Sequence, residues 1–255
     1  MIPIRDQLPT RTTPFVTYAI LLANVLVFLA QITVQWGGYE EVTRDWGLVP
    51  ARLLAAPQED LITVGTSMFM HGGWMHLLGN MLFLWVFGDN VEDALGHIRF
   101  GLFYVAGGVA AAIAQIAIDP GSTVPMVGAS GAISAVLAGY LSLYPRARVL
   151  VLVPIVIVFT FFEFPAWLVI VEWFVLQLLS GMSTLAFGAT TGVATFAHIG
   201  GFVMGLLLIR PFMLGRTRAR YDVWRGWRSE RRLRPADVLF RDRYGRRSWR
   251  DDGWS

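Results

Sequence analysis

Long uncharged apolar runs alternate with short charged segments along this chain. No charged residue occurs between Thr12 and Tyr39, none between Leu61 and Gly88, and Asp119 alone interrupts the stretch from Gly101 to Pro145. A helix of roughly 20 residues, rising about 1.5 Å per residue, is needed to cross the hydrocarbon of a bilayer. The pattern therefore predicts an all-α, polytopic membrane protein with six crossing helices. Their expected ranges are residues 15–34, 75–91, 101–118, from 127–129 to just before Pro145, 166–185 and 192–209. Thr13-Pro14 supplies a cap and a first helical residue for the first of them.

The segments between the runs have characters of their own. Residues 35–74 form a long loop carrying Glu40, Glu41, Asp45, Glu59 and Asp60 against Arg44 and Arg52. Trp36, Tyr39, Trp46, Leu48 and Phe69 within it predict short amphipathic helices lying in the membrane interface. Residues 149–164 are apolar but broken by Pro154 and closed by Glu163 and Pro165, and are expected to make an irregular or re-entrant approach to the fifth span. Three parts result: a short N-terminal segment (1–13), a six-span membrane domain (14–211) and a tail (212–255).

Composition agrees with this reading. Only 15% of the 255 residues are charged and 55% are hydrophobic, whereas soluble domains carry about 25% charged residues. The absence of Cys removes disulfides, thiolate metal sites and a cysteine nucleophile. All 21 basic residues are Arg, and their placement fixes an orientation. Arg5 and Arg11, Arg99, Arg146 and Arg148, and the tail with 13 Arg against 6 acids fall in alternate loops. The positive-inside bias then places both termini in the cytoplasm, with the expected location a bacterial inner (cell) membrane. No cleavage signal precedes the first run, so it is expected to be retained as a span. Trp224, Trp227, Trp249 and Trp254 interleave with the tail's charges, which fits contact with anionic headgroups or disorder better than nucleic-acid binding. The lipid bilayer is the expected partner of the tail, and no nucleic acid is expected.

Polar residues inside spans are functional candidates, because lipid tolerates few of them. Here they share one depth. His71 and His76 lie at the outer start of the second span, and Asn80 stacks one turn beyond His76 on the same face. Ser130 sits in Gly128-Ala129-Ser130-Gly131 at the outer start of the fourth span. His198 lies about six residues into the sixth, roughly 9 Å below its outer end. A hydroxyl becomes a good nucleophile when a neutral imidazole takes its proton. Ser130 and His198 would form such a dyad, with the Ser130 backbone N–H, His76 and Asn80 as donors to an oxyanion. Small faces on the fourth span (Gly131, Ala135, Ala138, Gly139, Ser142) and the sixth (Ala197, Gly201, Gly205) would let those helices approach closely. Taken singly, Ser130 also reads as a cap or back-bonded hydroxyl, and His198 as a packing contact, proton relay or ligand. Zinc on two or three His would lack an acidic ligand, so no metal or cofactor is expected. Glu172 and Gln177 on the fifth span are read as pairing with polar groups in the bundle, without a catalytic role.

These residues resemble the rhomboid intramembrane serine proteases over residues 14–211. The resemblance rests on H-x-x-x-x-H-x-x-x-N at His71, His76 and Asn80, G-x-S-G at Gly128 to Gly131, and A-H-x-x-G at Ala197 to Gly201. Glu92, Gly96 and Arg99 resemble the polar signature after the family's second helix. The resemblance implies a serine endopeptidase with nucleophile Ser130 and general base His198, and an oxyanion hole helped by His76 and Asn80. It also implies a gate at the fifth span and single-span membrane proteins as substrates, cut near their outer end at small, helix-destabilising residues. A monomer is the default, since one chain holds the whole site. Two departures stand out. Members usually carry an aromatic four residues after the nucleophile to stack on the base, where this chain has Ser134, so the orientation of His198 must come from elsewhere. The outer loop lacks the Trp-Arg pair of some members, although it contains Arg44, Trp46 and Arg52. The other functions open to such a fold are a catalytically inert relative that binds transmembrane helices, and a small-solute channel or transporter.

Overall fold

The computed structural model describes residues 1–33, 39–155, 158–187 and 194–215, without the side chains of residues 39, 155, 158, 181 and 184–187. The Arg-rich tail from residue 216 onwards, and most of the turn before the last helix, lie outside the described residues.

The apolar runs fold as helices close to their expected bounds: α1 (Phe15–Thr33), α6 (Trp74–Leu95), α7 (His97–Ile118), α8 (Ser130–Leu143), α9 (Ala166–Phe187) and α10 (Thr195–Phe212). Among the described residues α1, α7 and α10 are long and apolar enough to cross a membrane, while α8 and residues 166–180 of α9 are shorter apolar helices. The long loop folds as expected into short helices: α2 (Tyr39–Trp46), α3 (Pro50–Ala55), α4 (Pro57–Asp60) and α5 (Thr63–Thr66), followed by a single 3₁₀ turn. Arg52 holds that loop together. It pairs with Asp60 and donates to the carbonyls of Arg44 (2.5 Å) and Gly47 (2.9 Å).

Helix α1 illustrates the inside-out logic of a membrane helix. Thr17, Asn24 and Gln31, spaced by seven, are buried with Ile20 and Phe28, while Leu22, Leu26 and Leu29 face outwards. Each polar residue has a partner inside. Thr17 meets Glu92 of α6, Asn24 donates to the carbonyl of Ile20, and Gln31 bonds both backbone groups of His71. Polar side chains thus turn towards the bundle, where hydrogen bonds exist, and leave the lipid face to leucine.

Helix α8 is the central element, buried at every position from Gly131 to Tyr140. Its neighbours α7 and α10 reach it only because small residues line the contacts. A Cβ on Gly201 would overlap the carbonyl of Gly131, one on Gly205 would stand 2.6 Å from Ala135 Cα, and one on Gly107 would overlap Ala135 Cβ. The small faces expected on the fourth and sixth spans do meet, backbone to backbone.

One expectation fails. The chain is mostly helical but not all-α, because residues 149–164 do not form an irregular or re-entrant approach. They form an antiparallel hairpin of β2 (Arg148–Ile155) and β3 (Val158–Pro165), with Val151 opposite Phe162 and Val153 opposite Thr160. The N-terminal strand β1 (Ile2–Asp6) pairs antiparallel with β2 to complete a sheet of order β1-β2-β3. Val149 and Val151 face the helical core and are fully buried. β-Branched residues alternating at period two satisfy a strand pattern. The intervening Leu150 and Leu152 are apolar as well, so the period is invisible in a binary reading.

The C-terminal end of α6 runs further than expected and carries Glu92 and Asp93 within the helix. Glu92 is fully buried and accepts from the N–H groups of Val16 (2.9 Å) and Thr17 (2.7 Å) and from the Thr17 hydroxyl (2.6 Å), and His97 Nδ1 lies 2.6 Å away. Asp93 accepts from the backbone and hydroxyl of Thr12 at 3.0 and 2.7 Å. Two acids of α6 therefore cap the start of α1, satisfying the N–H groups that a helix leaves free at its first turn.

Candidate active site

The close approach of α8 and α10 carries Ser130 and His198 together. Ser130 opens α8 and His198 lies in the first turn of α10, and Ser130 Oγ stands 2.7 Å from His198 Nε2. The start of α10 is held to α7 by the Gln115 side-chain oxygen, which accepts from the N–H of Ala197 at 3.3 Å. His198 is 7% exposed. Its other ring nitrogen, Nδ1, lies 2.8 Å from Gln177 Oε1 of α9, and the Trp173 ring of the same helix sits 5.8 Å from the imidazole at 40°.

His76 approaches from α6. The N–H of Gly72 donates to His76 Nδ1 at 3.2 Å, so a neutral His76 ring carries its proton on Nε2. That nitrogen faces the serine across Gly128. A Cβ at Gly128 would stand 2.9 Å from His76 Nε2 and 3.4 Å from Ser130 Oγ. Gly128 also adopts φ +131°, which other residues rarely do, so the space between nucleophile and donor exists because this residue has no side chain. Its own N–H is fixed by the carbonyl of Ser67 at 2.8 Å.

Asn80, one turn along α6 from His76, is 7% exposed, and its amide nitrogen has no hydrogen-bond partner among the described residues. A buried donor without a partner is uncommon. The backbone N–H of Ser130 opens α8, among the first-turn N–H groups that helix geometry leaves without an intrahelical acceptor. His71 is fully buried, with its ring edge-on to His76 at 5.2 Å. Gly131, Gly201 and Gly205 contribute by closing the helix contacts described above.

The sequence reading thus named Ser130, His198 and His76, which the fold gathers into one place, and Asn80, which shares the face of α6 that His76 occupies. It missed what holds His198. Gln177 does pair with a polar group of the bundle, as expected, but the sequence does not show that this group is His198, nor that Trp173 lies beside the same ring. Their spacing of four residues, which puts both on one face of α9, was the available signal. Ser134, the departure from the usual aromatic, is fully buried and donates back to the carbonyl of Ser130 at 2.6 Å.

Fold and site together define a helical membrane protein with a serine and a histidine paired between two tightly packed helices. The Rhomboid domain family matches residues 58–214, well over half of the chain, and the protein belongs to the rhomboid family. It is 36% identical over 148 residues to "RHOMBOID-like protein 4" of Arabidopsis thaliana, covering 56% of this chain and 33% of that protein. It is 30% identical over 207 residues to "Rhomboid protein 1, mitochondrial" of Saccharomyces cerevisiae, covering 74% of this chain and 51% of that one. For "Rhomboid-related protein 2" of Mus musculus the identity is 32%, over 50% of this chain and 42% of the relative. The chain therefore spans between a third and a half of the length of these relatives.

Proposed function

We propose that this protein is an intramembrane serine endopeptidase that hydrolyses peptide bonds in or near the transmembrane segments of single-span membrane proteins. The observation that carries the reading is the 2.7 Å contact between Ser130 Oγ and His198 Nε2. In this reading His198 Nε2 takes the hydroxyl proton as Ser130 Oγ attacks the scissile carbonyl. The oxyanion is held by His76 Nε2–H, the Asn80 amide and the backbone N–H of Ser130. The imidazolium then returns its proton to the leaving amine, and a water activated by the same nitrogen cleaves the acyl-enzyme.

The proposed topology has six spans with both termini in the cytoplasm. It is supported by the alternation of Arg-bearing loops and by the six bundle helices, of which α8 is too short to cross alone. Its 14 residues rise only about 21 Å, against a hydrocarbon thickness of roughly 30 Å. A short central helix recesses its first residue, Ser130, below the outer surface, where water must reach it from outside. Residence in a bacterial inner membrane belongs to the same proposal, and the plant, yeast and mouse relatives lend it no support. A monomer suffices, because one chain supplies every group named.

Replacing Ser130 with Ala tests the mechanism on purified protein in liposomes with a single-span substrate. Cleavage should fall by at least about 10³-fold with the fold intact. Undiminished cleavage would end this reading.

A further inference from the structure

We propose that Gln177 is the positioning residue of the base, fixing the tautomer and tilt of His198 from the neighbouring helix α9. This rests on the serine–histidine reading above. A neutral imidazole has one N–H and one lone pair, and the partner of one nitrogen decides the role of the other. An amide oxygen only accepts. With Gln177 Oε1 at 2.8 Å, Nδ1 of His198 donates, and the lone pair of Nε2 is left facing the Ser130 hydroxyl at 2.7 Å. That is the arrangement a general base requires.

No group on α8 does this work. Ser134, where an aromatic would pack on the base, is turned back onto its own helix. The ring contact comes instead from Trp173, one turn before Gln177 on α9. Both constraints on His198 therefore belong to one face of one helix. An uncharged acceptor also suits the place, since a carboxylate buried beside a neutral ring would carry a large desolvation penalty. The titratable groups around His198 are other histidines: His76 of α6, whose Nδ1 accepts from Gly72, and His71 behind it. On α9 itself, the carboxylate of Glu172 meets the amino group of Met1 at 3.4 Å. On α7, the uncharged Gln115 contacts the backbone of α10.

The test compares wild type, S130A, Q177M and Q177E as full chains in liposomes with a single-span substrate, with the pH dependence of kcat measured for each. A second readout is the ¹⁵N spectrum of the histidine rings, of which the chain has four. Methionine keeps the length of glutamine without an acceptor, and kcat should fall about 10- to 100-fold with KM within about twofold. The ring of His198 should shift from protonation on Nδ1 to a mixture of tautomers. Glutamate keeps the acceptor and adds a charge that favours the imidazolium. Q177E should recover most of kcat at alkaline pH while the acid limb of its profile moves up by about one pH unit. A Q177M protein with wild-type kcat, pH profile and tautomer would overturn the proposal while leaving the dyad intact. Cleavage equal in wild type and S130A would instead overturn the dyad, and the ring spectra would still decide whether Gln177 sets the tautomer.

Discussion

The two ends of the bundle both bury polar groups, and they do so in opposite ways. At the end where α6 meets the first turn of α1, the buried acids among the described residues are answered. Glu92 receives three hydrogen bonds from α1 and sits against His97, Asp93 receives two from Thr12, and Asp6 accepts from Tyr140 (2.5 Å) and Asn90 (3.0 Å). At the end bearing Ser130, the side chains around the Ser130–His198 pair are Gln177, His76 and Asn80, with no carboxylate among them, and the amide nitrogen of Asn80 is left without a partner among the described residues. Glu92 and Asp93 act as structural glue, since removing either strands several donors. In the proposed mechanism the open donor is where the oxyanion would be held, since a preorganised donor gains most when that charge develops. Satisfaction, more than polarity, separates the two ends.

Four substitutions can break or sharpen that contrast. The largest effect is expected where the ends share a foundation. Gly201→Leu drives a side chain into the Gly131 carbonyl, forcing α8 and α10 apart. It should destabilise the protein by more than about 4 kcal/mol and abolish cleavage, as measured by thermal unfolding in detergent and by substrate turnover. Glu92→Ala should destabilise by about 3 kcal/mol, yet leave turnover per folded molecule close to wild type. A fall in turnover with unchanged melting would show that Glu92 serves the chemistry. Gly128→Ala should reverse that signature. It fills the gap between His76 and Ser130 at a strained φ, so turnover should drop about 100-fold, about 2.7 kcal/mol at the barrier, with a smaller loss in melting temperature.

The smallest effect concerns Asp6. Burial, reinforced by Asp89, pushes its carboxyl well above the usual carboxylate range, although the Tyr140 hydroxyl pulls the other way. A raised carboxyl binds its proton more tightly in the folded protein than in the unfolded one. Stability is then greatest at acid pH and is lost as pH rises from about 3.9 through the raised titration. Asp6→Asn, which keeps an acceptor for Tyr140, should flatten that slope and raise the melting temperature at neutral pH. An unchanged slope would locate the pH dependence elsewhere.

Much of this arrangement was legible in the chain itself. Uncharged runs gave the helices within a few residues, and a topology of alternating loops put Ser130, His198, His76 and Asn80 at one depth without any knowledge of distances. Three features escaped for physical reasons. Residues 149–153 of β2 are apolar on both faces, and Thr160 and Glu163 of β3 are three apart and so fall on opposite faces; neither strand shows the polar alternation that marks a half-exposed sheet, and Pro154 argued against regular structure. Gln177 escaped because a lone polar residue in a spanning helix does not announce its partner. Only the packing of α9 against α10 reveals that it faces an imidazole. The capping of α1 by Glu92 and Asp93 was hidden likewise, since those acids read as a loop following a span rather than as its last turn.

The central claim is that Ser130 is made nucleophilic by the imidazole facing it across the α8–α10 contact. Reaction of the liposome-embedded protein with a fluorophosphonate, followed by mass analysis of the peptide containing residue 130, tests it without needing a substrate. The adduct should form on Ser130 in the wild type and be lost in His198→Ala, while Glu92→Ala still labels in proportion to its folded fraction. Labelling of Ser130 that is indifferent to His198, or none at all in folded wild type, would contradict it.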